Sequence, residues 1–190
     1  SGALLCLDVT ERIVDEAAQK GCNLIVSHHP LIFRKLSRLT GEDYVQRCVM
    51  KALAQGIVIL SLHTNMDNAK GGVNYKIAEK MGLTDVRFMS AKEMNGVEYG
   101  SGVVGCFAEP LAADDFIILL KRVFGVECVQ ANELLRRPIR TVAICGGSGS
   151  FLLDDAANAG IDAFVTGEMH YHEYFGREQQ IQIAVIGHYQ

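Results

Sequence analysis

Short apolar runs alternate with stretches of helical period along this chain. Residues 3–9 read as a strand, and Thr10 follows as an N-cap. Ile13, Val14, Ala17 and Ala18 then share one helical face, and Gly21 ends the helix. Residues 23–27 form a second strand, running into His28, His29 and Pro30. A helix over 42–55 stops at Gly56, a strand follows over 57–62, and a helix over 73–81 is closed by Gly82. Residues 96–107 are β-like and Gly-spaced. Asp114 is the expected cap of a helix through Phe124, ended by Gly125. A strand over 140–145, a helix over 151–158, a strand over 163–166, a helical turn over 171–177 and a strand over 181–186 complete the pattern.

This alternation predicts an α/β architecture with largely parallel central strands. Runs such as Asn23-Leu24-Ile25-Val26 are continuously apolar, as strands covered on both faces are. A weak internal repeat refines the picture. Laying residues 10–29 over 150–168 matches Gly21 with Gly160 and His29 with Glu168. Each unit leads to an apolar strand ending in a histidine, His63 in one and His188 in the other. The expectation is two interlocked, pseudo-symmetric α/β halves, residues 1–95 and 96–190, with the site in the cleft between them. Ligands in open α/β sheets gather outside the carboxyl ends of the strands.

Candidate chemistry collects at those ends. His28, His63 and His188 each follow an apolar strand, and His29 adjoins the first. Imidazole suits divalent transition metals, with carboxylates completing such sites. Adjacent histidines point to opposite faces of a strand, so His28 and His29 share a site only if the chain turns there; Pro30 favours the turn. Asp67, in His63-Thr64-Asn65-Met66-Asp67, offers a hard oxygen ligand or a plain turn cap. Gly146-Gly147-Ser148-Gly149-Ser150 is either an anion cradle or a tight turn. Glu168, in Thr166-Gly167-Glu168, suits a general base or a partner that orients a ligand. His170 reads as a solvent-exposed residue at a helix start, near His172.

Composition narrows the function classes. In 190 residues, 49% are hydrophobic and 21% charged, which excludes disorder as the main state. The net charge of −4 gives no field for holding duplex nucleic acid by counterion release. The six cysteines form no Cys-x-x-Cys pair and read as small buried hydrophobes of a reducing, cytoplasmic compartment. No apolar run is long enough to span a bilayer, and the first residues do not read as a signal peptide. The chain opens in a strand-like run without Met and closes just after another, which reads as a fragment.

Ser27-His28-His29-Pro30, His63-Thr64-Asn65-Met66-Asp67, Cys145-Gly146-Gly147-Ser148-Gly149, Thr166-Gly167-Glu168 and Gly187-His188-Tyr189 occur in that order. Together they resemble the GTP cyclohydrolase I type 2-like family, also called the Ngg-one-interacting-factor-three-like family, over essentially the whole chain. The resemblance implies two divalent metal ions per subunit (Zn, Fe, Mn, Ni or Co) on His28, His29, Asp67 and His188. His63 and Glu168 would then act on substrate or move protons. In the family the last motif continues Gly-His-x-x-x-Glu, with a bridging glutamate beyond the point where this sequence stops. The resemblance further implies a toroidal homohexamer and a hydrolase of a small molecule, with a nucleotide suggested by the family name. The competing expectation is a metal-binding scaffold without turnover. Some family members carry a domain inserted in the middle, and the 83–96 stretch is too short to hold one.

Overall fold

The computed structural model describes residues 2–189. The chain divides into two compact units, Ser1–Met66 and Asp67–Gln190. The expected division at residue 95 instead meets a β-hairpin whose strands pair directly across it.

The first unit is a three-stranded parallel sheet in the order β1-β2-β3, with β1 Ala3–Cys6, β2 Leu24–Ser27 and β3 Val58–Ser61. Helix α1 (Glu11–Gln19) starts where expected: the Thr10 Oγ1 accepts from the Ile13 N–H at 3.4 Å. Helix α2 (Tyr44–Gln55) is capped by Asp43, which accepts from the Gln46 N–H at 2.8 Å, and ends at Gly56 in the left-handed conformation. One apolar face of each helix closes over one face of the sheet, burying Val14, Ala17, Ile25, Cys48 and Ala52. The opposite face is not buried: Leu5, Val58 and Leu60 are exposed. Continuous apolarity therefore did not signal two-sided burial in this unit.

A single turn, α3 (Thr64–Asp67), leads into the second unit, with α4 at Val73–Met81. Its six-stranded sheet runs β4-β5-β7-β8-β9-β6, with β4 Thr84–Met94, β5 Val97–Leu111, β6 Gln130–Ala131, β7 Ile139–Cys145, β8 Ala163–Thr166 and β9 Gln182–Val185. The middle three, β7-β8-β9, are parallel, and the others add antiparallel. Here β8 and β9 are buried at every position, as a two-sided layer requires. Helix α5 (Ala113–Phe124) packs Phe116 and Leu120 into one core, and α6 (Leu153–Asn158) packs Leu153, Ala156 and Ala157 into the other. Asp114 lies inside the first turn of α5 rather than at its cap, which is Ala112 without a side-chain bond. The fold is thus mixed α/β, with parallel strands central in both units.

Candidate metal centre

In the first unit the histidines meet because the sheet ladder continues past its strands. Ser27 lies opposite Ser61, and the Leu62 N–H donates to the Ser27 carbonyl at 2.8 Å. That register brings His63 alongside the His28-His29 pair. The chain bends at His28 and His29, as Pro30 led us to expect. Ser27 holds the bend, its Oγ donating to the His29 carbonyl at 2.9 Å. Its single proton is then spent, so Ser61 must donate in the 2.9 Å bond between the two hydroxyls.

The ring centroids stand 4.9 Å apart for His28 and His29, 5.4 Å for His28 and His63, and 5.9 Å for His29 and His63. One ligand atom from each ring lies within 4.8 Å of the other two, and all three residues are half-buried. Three imidazoles so placed form a donor set for a borderline divalent ion such as zinc, so the residues present fit a metal. His63, expected to act on substrate, is placed as the third imidazole of this group. The same unit holds a cavity of about 360 Å³ lined by Pro30, Leu31, Ile32, Val49, Ala52, Leu53, Ile57, Ile59 and Ser61, with none of the three histidines in its lining. No charged side chain is in that lining.

The second unit carries the remaining expected residues. His188 Nδ1 stands 3.3 Å from a Glu168 carboxylate oxygen. Gly147 lies against the His188 ring, 3.7 Å from its Cε1 to the point where a Cβ would sit. Glu168 is set by its own backbone, its N–H donating to the Gly147 carbonyl at 3.0 Å. The adjoining Gly167 is required by close approach: a Cβ there would meet the Gly147 backbone at 2.9 Å. Asn74 ties Asp67 to the same loop. Its Nδ2 donates to the Asp67 carbonyl at 3.1 Å and its Oδ1 accepts from the Gly146 N–H at 2.8 Å. Burial, with the Asp67 charge adding to it, pushes the Cys145 thiol up to about 11.

These contacts decide between the two readings of the glycine loop. The Gly146 N–H goes to Asn74 and the Gly149 N–H to Thr166 Oγ1 at 3.1 Å. The loop is a turn braced by side chains, with two of its N–H groups already spent inside the protein. Asn74 escaped sequence reasoning; its signal was a lone amide at the start of an apolar helix after Gly71-Gly72. His170 and His172 stack at 5.6 Å, and Glu173 caps the His170 N–H. Of the six cysteines expected to be buried only Cys48 and Cys145 are; Cys6, Cys22 and Cys106 are half-buried and Cys128 is exposed. Among the described residues, no helix is long and apolar enough to cross a membrane.

The family model Duf34/NIF3 (NGG1p interacting factor 3) matches residues 1–190. The chain belongs to this family. A relative in Clostridium perfringens named GTP cyclohydrolase 1 type 2 homolog is 34% identical over 189 residues, covering 98% of this chain and 71% of the relative. The NIF3 homolog of Schizosaccharomyces pombe is 32% identical, covering 99% of this chain and 70% of its own. Among solved structures, Staphylococcus aureus protein SA1388 superposes with a TM-score of 0.88 at 26% identity, over 99% of this chain and 75% of that one.

Proposed function

We propose that this protein is a metal-dependent hydrolase of a small molecule. The observation that carries the reading is the convergence of His28, His29 and His63. His28 and His29 would hold metal with His63 beside them. The family resemblance adds Asp67 and His188 as ligands and a second ion, and the pairing of Glu168 with His188 suits a ligand held in one orientation. A bound divalent ion supplies Lewis acidity and lowers the pKa of a coordinated water toward neutrality. The cavity in the same unit, with no charged side chain in its lining, suits the apolar part of a small-molecule ligand. The names of the relatives suggest a nucleotide. A homohexamer is the assembly the resemblance implies, and sedimentation of the protein tests it.

The test of function is turnover. Metal-loaded protein is assayed against a panel of nucleotides and phosphoesters beside a His28→Ala/His29→Ala variant. Hydrolysis by the wild type that the variant lacks supports the reading. Stoichiometric metal with equal, background rates in both proteins would instead make this a metal-binding scaffold.

A further inference from the structure

We propose that Asp8 is a positioning residue for the metal centre, fixing which nitrogen of His29 faces the ion. The inference rests on the metal reading above and adds a residue to it.

The backbone brings the two groups together. β1 and β2 pair in parallel as far as Cys6 opposite Ser27. The ladder then extends past both strands: the His28 N–H donates to the Cys6 carbonyl at 3.2 Å, and the His29 N–H to the Leu7 carbonyl at 2.9 Å. Asp8 is therefore delivered beside His29 by two backbone hydrogen bonds rather than by chance contact of long side chains. Buried Val9 and the Thr10 cap of α1 hold the chain on its far side.

The side chains complete the contact. The Asp8 Oδ1 lies 2.9 Å from His29 Nδ1. An ionised carboxylate only accepts, so Nδ1 carries the hydrogen and donates. In the neutral ring the metal-binding lone pair is then on Nε2. The carboxylate thus selects the tautomer, fixes the ring plane and makes Nε2 a stronger donor, the three services that carboxylate–imidazole pairs give metal sites. Asp8 is not one of the three converging ligands; it acts through His29. In the other unit a carboxylate also stands near an imidazole, Glu168 at 3.3 Å from His188 Nδ1, a longer contact than the 2.9 Å at Asp8.

The test uses the full chain with Co²⁺ and Zn²⁺ as probes, comparing wild type, Asp8→Asn and Asp8→Ala. Metal affinity is read by competition with a chromogenic chelator, the coordination by the Co²⁺ ligand-field spectrum, and the His29 tautomer by long-range ¹⁵N correlation in metal-free protein. Asp8→Ala is expected to lose about 10–100-fold in affinity with stoichiometry unchanged. Asp8→Asn keeps an acceptor and loses less. The Nδ1–H tautomer of His29 should dominate in wild type and give way in Asp8→Ala. Circular dichroism and a urea midpoint establish that each variant is folded. Unchanged affinity and tautomer in a folded Asp8→Ala would overturn the proposal while leaving the metal reading intact. A drop in stoichiometry would make Asp8 a ligand, which also overturns it. Wild type that binds neither metal would bring down both.

Discussion

Two places in this molecule lie at the carboxyl ends of parallel strands, and they are built in opposite ways. After β7 and β8 of the second unit, the backbone groups of the glycine loop are tied up within the protein: Asn74 takes the Gly146 N–H, Thr166 takes the Gly149 N–H, and the Gly147 carbonyl accepts from Gly167 and Glu168. After β2 and β3 of the first unit, three imidazoles crowd one corner whose backbone is held by a pair of serines. The lesson is that a glycine-rich turn at a strand end is not by itself a binding site. The first construction is stability spent on fixing a loop. The second gathers three imidazoles at a half-buried surface.

That contrast breaks most visibly at Gly167. Gly167→Ala forces a Cβ against the Gly147 backbone at 2.9 Å, so a loss of about 1–3 kcal/mol is expected in urea unfolding. Asn74→Leu leaves the half-buried Gly146 N–H without its acceptor and should cost a smaller amount, about 1–2 kcal/mol. His63→Ala, in the other construction, should stay within about 1 kcal/mol of wild type while losing metal affinity. Equal destabilisation at His63 and Asn74 would erase the distinction.

A pH effect sharpens the second unit further. Burial alone would raise the Asp162 carboxyl, but bonds from the Thr141 and Arg140 N–H groups, Arg137 and the Thr141 hydroxyl outweigh it and hold it below the ordinary range. A folded value below the unfolded one stabilises fully above about pH 4 and is lost as pH falls through the folded value. The gap in urea midpoint between wild type and Asp162→Asn should therefore be widest near neutrality and shrink below about pH 4. The smallest effect is chemical: iodoacetamide should label exposed Cys128 first, while buried Cys48 and the raised thiol of Cys145 resist.

Much of this was legible in the sequence, and the misses have physical causes. Local signals placed α1 and α4 closely, since Thr10, Gly21 and Gly82 act within one turn of themselves. Strand ends pointed to the histidines because polar residues after apolar runs mark where a sheet stops. β4 escaped notice: its outer half is exposed and its apolar period is weak, although Asn95-Gly96, both at positive φ, carried a hairpin-turn signature. The division after Met66 was equally hidden, because it depends on which strands pair rather than on composition. Asp8 and Asn74 were invisible for the same reason. Each matters through a partner that only register brings near, His29 for one and Gly146 for the other.

Whether the three imidazoles hold a metal is decided by titrating the full chain with Co²⁺ while recording visible absorption, beside a His28→Ala/His29→Ala/His63→Ala variant of matched fold. Saturable ligand-field bands are expected in the wild type and absent from the variant. Identical spectra in the two proteins, or none in the wild type, would contradict the metal reading.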